Sequence, residues 1–319
     1  MISLGIDIGG TFIKFFAINE KGKILKTHSA PTSTALSAED FLDWLAKTVN
    51  DWKAELKVKN CEGIVLGVGT AGDTDNAKGV LRFAPNLPWR DLPVGRGLTK
   101  RTGCKCFVSN DANMAAWGVY SKELKKKYKN IIVVTLGTGV GGGVIMDGNL
   151  VQGATGSAGE LGHICIDFAA DAPLCACGQR GCLEAFAGTK GIRRLAQAAA
   201  EKYPQSELAL LLRSEEFSVS LISKAAAKND KAALELWRDI GRNLGGGIAN
   251  MALILNPDAV VLTGGVSRGA QYFLPAVKEV FARQTIKTPF KHLKVLISKE
   301  GNIGGIGAAM YALDKINEK

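Results

Sequence analysis

Three groupings of residues in this sequence could do chemistry: an aspartate beside a glycine-rich turn, an aspartate at a strand-to-helix junction, and thiols clustered near a histidine. Asp7 stands directly ahead of Gly9, Gly10 and Thr11, with Lys14 on the apolar stretch that follows. A turn built of Gly and Thr presents amide and hydroxyl donors to phosphate oxygens without side-chain obstruction. A carboxylate beside bound phosphate is repelled unless a cation stands between them, so Asp7 is expected to orient a hydrated Mg²⁺. The alternative is an aspartate that caps a turn next to structural glycines. Asp111 follows Val108-Ser109-Asn110 and opens an apolar stretch of helical character. A carboxylate there lies at the carboxyl end of a strand, where α/β folds present ligand groups, or else it caps the helix that follows. Cys175-x-Cys177-x4-Cys182, with His163 upstream, offers three thiolates and an imidazole, a tetrahedral set for a closed, structural Zn²⁺. Cys165 is a rival ligand two residues from His163. Buried thiols beside an unrelated histidine are the other explanation.

The elements that must position these groups come in two copies. Strand Leu4–Ile8, turn Gly9-Gly10-Thr11, strand Phe12–Ile18 and turn Glu20-Lys21-Gly22 are echoed by strand Ile131–Leu136, turn Gly137-Thr138-Gly139, a glycine-rich strand ending Val144-Ile145-Met146, and turn Asp147-Gly148-Asn149. Two antiparallel meanders with glycine-rich first turns predict two related lobes that share one anionic ligand in a nucleotide cleft. Two stretches match G-x-G-x-x-G, Gly67–Gly72 and Gly137–Gly142. A dinucleotide fingerprint needs a helix immediately after the glycines; turn residues follow the first and a strand the second, so that function is excluded. No Walker A sequence ends in Gly-Lys-Ser/Thr either.

Between the copies the patterning predicts a helix over Ala38–Leu56, a strand over Gly63–Val68 and a helix over Ala112–Tyr120. Beyond them it predicts helices from Thr189 to Asn256. Ala259–Leu262 reads as a buried strand ending in Thr263-Gly264-Gly265, another ligand-facing turn, and a last helix runs from Gly301–Gly307 to Ile316. At 319 residues, with 46% hydrophobic and 22% charged residues, two folded lobes joined by short hinges are expected. No signal peptide and no apolar run of about 20 residues is present, so a cytoplasmic chain with no membrane partner is expected. The net charge of +10 suits an anionic ligand such as a nucleotide. Nucleic acid is not expected as a partner, because the basic run Lys122–Lys129 reads as a solvated helix face without interleaved aromatics. Cys61, Cys104 and Cys106 read as packing residues.

Asp7-Ile8-Gly9-Gly10-Thr11, Asn110-Asp111-Ala112-Asn113 and Leu136 through Gly143 resemble the ROK family of sugar kinases and sugar-responsive repressors. The likeness extends to Gly159-Glu160-Leu161-Gly162-His163, Cys175-Ala176-Cys177-Gly178, Gly181-Cys182-Leu183-Glu184 and Leu262-Thr263-Gly264-Gly265, so it covers nearly the whole chain. It implies a two-lobed actin-like (ribonuclease H-like) α/β fold with a small lobe of 1–108 plus the helix at about 305–319, and a large lobe of 109–304. It implies ATP, with Mg²⁺, at Asp7, Gly9, Gly10, Thr11, Lys14, Gly137, Thr138, Gly139, Gly264 and Gly265. It makes Asp111 the base that takes the proton of a sugar hydroxyl, and has Asn86, Asn110, Asp111, Glu160, His163 and Glu184 hold the sugar. His163, Cys175, Cys177 and Cys182 would bind zinc, His163 turning its other ring nitrogen to the sugar. A hexose 6-kinase of glucokinase type is the expected activity, a kinase for fructose, N-acetylglucosamine, N-acetylmannosamine or allose is the alternative, and a homodimer is the expected assembly. A sugar-sensing repressor is the competing class; the chain opens on the first strand, so no DNA-binding domain is expected ahead of it.

Overall fold

The computed structural model describes residues 1–58 and 63–318, which divide into two compact units. The first unit comprises Met1–Lys129, Gly143–Gly159 and Glu300–Lys319; the second comprises Asn130–Gly142 and Glu160–Lys299. Cys61 lies outside the described residues. The expected Lys122–Lys129 helix face is not there: a π-turn covers Val119–Glu123, and Lys125 and Lys126 adopt left-handed backbone at φ 51° and 56°. Lys126 instead caps a side-chain cluster, its Nζ 2.9 Å from Asp314 Oδ1 and over the ring of Trp117.

The first unit opens with β1 (Ile2–Ile8), β2 (Phe12–Asn19) and β3 (Ile24–Pro31), then α1 (Ala38–Glu55), β4 (Ile64–Thr70) and a small sheet of β5 (Asp73–Asp75), β6 (Val80–Phe83) and β7 (Arg90–Leu92). It continues through α2 (Val94–Thr102), β8 (Lys105–Asn110) and α3 (Asp111–Gly118). The main sheet has the order β3-β2-β1-β4-β8, with β1, β4 and β8 parallel. Asp7 lies opposite Gly69, and Gly69 opposite Ser109, so the carboxyl ends of these three strands finish level. That register brings Asp7 and Asp111 to one edge of the sheet.

Both faces of this sheet are covered. Ser37 caps α1 through Asp40 N, and Phe41, Leu42, Leu45, Val49 and Trp52 fall at helical spacing into the core with Leu4, Ile6 and Leu66. Each such side chain contributes about 1.5–3 kcal/mol on burial. On the other face lies the C-terminal helix, labelled below as α11. A β-carbon on Gly5 would come within 1.9 Å of Gly305 O, and one on Gly67 within 1.9 Å of Ala308 O. These glycines let helix backbone rest on strand backbone, and Gly67 is therefore a packing residue and not part of a phosphate loop.

In the second unit β9 (Ile131–Leu136) leads into β10 (Val140–Met146); the partition between units falls inside β10, so that β11 (Asn149–Leu150) is counted with the first. Helices α4 (Glu184–Ala187), α5 (Thr189–Lys202), α6 (Glu207–Ser214), α7 (Val219–Ala226) and α8 (Lys231–Leu255) follow. Then come β12 (Ala259–Thr263), α9 (Ala270–Arg283), α10 (Thr288–Lys291) and β13 (Lys294–Ile297), after which the chain returns to the first unit as α11 (Ile303–Asn317). The sheet order is β11-β10-β9-β12-β13, with β9, β12 and β13 parallel. Asp230 caps α8 through Ala233 N, and Asn256 ends it in left-handed conformation at φ 43°. No helix among the described residues is long and apolar enough to cross a membrane.

Candidate active site and metal centre

In the first unit, Asp7 and the turn Gly9-Gly10-Thr11 lie where β1 passes into β2. Gly9 N donates to Phe12 O at 3.1 Å, closing the turn, and Thr32 Oγ1 donates to Gly9 O at 2.7 Å from β3's exit. A β-carbon on Gly10 would lie 2.8 Å from Asn86 Cβ, so Gly10 is what lets Asn86 approach the turn. Lys14 Nζ donates to Asn302 Oδ1 at 2.8 Å, tying β2 to the start of α11, and Gly304 in that helix's first turn faces the Asp7 carboxylate. The supporting Thr32, Asn302 and Gly304 carry no motif of their own and could not be read from the sequence.

Asp111 does not cap its helix. The cap of α3 is Asn110, whose Oδ1 accepts from Ala112 N at 2.8 Å and Asn113 N at 3.3 Å, while its Nδ2 donates to Gly72 O at 2.9 Å. The helix thus starts one residue earlier than the pattern predicts, and the capping role belongs to the neighbour. The Asp111 carboxylate accepts locally, from Ala112 N to Oδ1 at 2.8 Å. Burial raises its carboxyl above the ordinary range.

Asp7 is pushed up to about 6, by burial first and by the Asp111 charge second, with Lys14 pulling the other way. Two half-buried carboxylates at the carboxyl end of one sheet are costly to ionise together, and a divalent cation relieves that cost. The residues therefore fit a Mg²⁺ beside Asp7. The same pair makes a stability prediction. In the unfolded chain Asp7 releases its proton near its ordinary value of about 3.9. Between there and about 6 the folded protein holds more protons, so stability falls as pH rises. Asp7→Asn is expected to flatten that slope and to be more stable than the parent at pH 7 without metal, by at most about 3 kcal/mol. Urea midpoints at pH 4, 5, 6 and 7 measure this; superimposable profiles for the two proteins would refute it.

In the second unit, Gly137-Thr138-Gly139 joins β9 to β10, closed by Gly137 N donating to Gly139 O at 3.0 Å. Thr189, the first residue of α5, holds the turn from outside, its N and Oγ1 donating to Gly137 O at 3.0 and 2.7 Å. Gly264 and Gly265 follow β12, which pairs with β9 so that Thr263 lies opposite Thr135. Gly264 has φ 95°, and a β-carbon there would strike Leu136 O at 2.3 Å. Gly137 and Gly265 have open space where a side chain would be, room for a ligand to approach backbone.

His163, Cys175, Cys177 and Cys182 come together, their donor atoms all within 4.8 Å of one another. Cys177 and Cys182 sulfurs are 3.8 Å apart, and Cys175 Sγ is 3.8 Å from His163 Nδ1. Bonds of about 2.3 Å from a tetrahedral zinc imply sulfur–sulfur edges of about 3.8 Å, so the set fits that ion. Cys165 stands outside the group, its thiol donating to Asp167 O and Arg180 O at 3.2 and 3.6 Å. With Nδ1 toward the thiols, His163 Nε2 faces Glu160 Oε2 at 3.9 Å. Glu184 links this centre to the turn: Oε1 lies 3.4 Å from Cys175 Sγ and Oε2 accepts from Val140 N at 3.0 Å. That link was invisible in the sequence, where Glu184 reads as a sugar ligand or as an ordinary surface carboxylate. Cys104 is buried in the core and Cys106 is half-buried.

Two mixed five-stranded sheets, each with an antiparallel meander, a glycine turn and three parallel strands, define an actin-like ATPase fold, and solved structures bear this out. A ROK family glucokinase from Streptomyces griseus, in complex with glucose and AMPPNP, superposes with a TM-score of 0.78 at 34% identity, covering 98% of this chain and all of that one. The ROK family pattern matches residues 3–315, and the chain belongs to that family. A glucokinase from Streptomyces coelicolor is 33% identical over 317 residues, 98% of this chain and 97% of the relative. A xylose repressor from Bacillus subtilis is 26% identical over 313 residues, 98% of this chain and 77% of the relative.

Proposed function

We propose that this chain, an ATP-dependent sugar kinase of the ROK family, phosphorylates the 6-hydroxyl of a hexose, with glucose as its preferred substrate. The observation that carries this is Asp111: half-buried, relieved of capping by Asn110, and placed like Asp7 at the carboxyl ends of the parallel strands β1, β4 and β8. Phosphoryl transfer asks a protein mainly for positioning and charge neutralisation, plus a carboxylate for the attacking hydroxyl's proton. Asp111 takes that proton. Asn86, Asn110, Glu160, His163 and Glu184 supply donors and acceptors for sugar hydroxyls, and an unmatched hydroxyl leaves one of them unpaired, which disfavours wrong isomers. Gly9–Thr11, Gly137–Gly139 and Gly264–Gly265 supply backbone amides for the phosphates of ATP, with Lys14 beside Asp7. Mg²⁺, when bound, neutralises phosphate charge next to Asp7. Zinc at His163, Cys175, Cys177 and Cys182 is structural and fixes the orientation of the imidazole.

A coupled ADP-release assay across glucose, fructose, N-acetylglucosamine, N-acetylmannosamine, allose and xylose tests the assignment, with phosphorus NMR locating the ester. The highest kcat/KM is expected for glucose, with the product a 6-phosphate. Another hexose at the top would correct the specificity alone. Sugar binding by calorimetry without ADP release from any of the six would instead support a sugar-sensing regulator, the function to which the xylose repressor likeness points.

A further inference from the structure

A cavity of about 470 Å³ lies wholly in the first unit between α2, the start of β8 and the turn joining β5 to β6. Its size is that of a small-molecule site. Four cationic side chains line it, Lys78, Arg96, Lys100 and Lys105, and no carboxylate does. Lys78 leans on Asp75 at 3.6 Å, a carboxylate already engaged by Arg82 at 3.2 Å. Arg96, Lys100 and Lys105 have no acidic partner among the described residues; Lys105 rests over the ring of Phe107.

This is not how the rest of α2 handles its charge. Arg101, on the same helix, is held by both Glu39 and Asp43 of α1. Arg96, Thr99 and Lys100 fall at i, i+3 and i+4, one face of the helix, and that face is the cavity wall. Lys100 sits in the last turn, where the helix dipole favours a cation. Arg96 sits in the first turn, where the dipole opposes one, and no acidic residue accompanies it there. An anion in the cavity would meet both the dipole and the guanidinium favourably. The floor is shaped as well: Gly95 N donates to Gly79 O at 2.9 Å, and a β-carbon on either glycine would lie 3.1–3.2 Å from the other's Cα. These two glycines let the turn rest directly on the start of α2.

We infer that this cavity is an anion site for a small phosphate ester, separate from the site of phosphoryl transfer. The separation follows from β8, which begins at Lys105 beside the cavity and ends at Asn110 beside Asp111, five residues or about 17 Å away along the strand. Guanidinium and ammonium groups around a half-apolar pocket suit a phosphate monoester on a compact organic body, with Arg96 able to hold two of its oxygens. The chemistry is shared by hexose phosphates, nucleoside monophosphates and free phosphate.

Lysine acetylation followed by mass spectrometry reads occupancy at the site itself, without reference to turnover. Glucose 6-phosphate, AMP and inorganic phosphate would be titrated into the full chain at constant ionic strength. Saturable protection of Lys100 and Lys105 is expected, and the Arg96→Gln/Lys100→Gln protein should show the midpoint for Lys105 raised at least tenfold. These side chains are exposed and free of acidic partners, so the double variant should keep the parent's melting temperature and its ADP-release rate. Equal midpoints for the three compounds would assign recognition to the phosphate alone; a tenfold advantage for one ester would assign that ester. Protection that potassium chloride reproduces, that fails to saturate, or that survives the double substitution would overturn the inference.

Discussion

Asp111→Asn is expected to lower kcat by at least about a thousandfold while leaving nucleotide affinity within about threefold of the parent. General-base catalysis by a positioned carboxylate contributes roughly 10²–10⁴ in rate, and the asparagine removes the proton acceptor with little change in shape. The structure makes this substitution diagnostic because Asn110, not Asp111, caps α3. A capping residue would show its loss in stability. Asp111 should show the reverse, since its carboxyl is raised by burial and a neutral amide avoids the cost of ionising it. Melting temperature is therefore expected to hold or rise as turnover collapses. The acid limb of kcat/KM in the parent should lie above the ordinary aspartate range, because the base must be ionised to act. Retention of more than about a tenth of the parent rate, or a fall in stability matching the fall in rate, would remove Asp111 from the role.

Legibility in the sequence followed the range of the interactions concerned. The meanders were readable because strand–turn–strand patterns are local: Phe12–Ile18 differs from β2 by a single residue. The strand expected at Gly63–Val68 runs instead over Ile64–Thr70, since its end is set by pairing with β1 and β8, which no local pattern records. Lys122–Lys129 misled for a related reason. Its alternation of charge and apolar residues suits a helix, yet two left-handed lysines and the contacts of Lys126 with Trp117 and Asp314 decide the backbone there. At the site, residues whose type announces chemistry were visible: Asp7, Asp111 and the thiols. Residues that act by holding another residue were not. Thr189 grips Gly137 from 52 positions away, and Glu184 reaches Val140 across 44. The rivalry between Cys165 and His163 needed coordinates, because spacing leaves both within reach and only the positions of the donor atoms separate them.

That separation makes the metal centre testable with a matched pair of cysteines. Freshly purified protein is expected to hold about one zinc per chain, Cys182→Ser to hold almost none, and Cys165→Ser to keep it. Cys182 is fully buried among the donor set, while the Cys165 thiol points at two backbone carbonyls. Because thiolates held this close repel one another without a cation, losing the metal should cost several kcal/mol of folding free energy. For a unit of this size that lowers the melting temperature by roughly 5 °C or more. Release should also reach the phosphate turn. Cys175 adjoins Glu184, and Glu184 fixes the amide of Val140 just past Gly139, so a disordered cysteine loop frees that turn. Chelated protein is then expected to bind AMPPNP several-fold more weakly, although none of its nucleotide-binding residues has been altered. A zinc-to-protein ratio near zero before chelation, or zinc lost equally from both serine variants, would leave the four residues without a metal to hold.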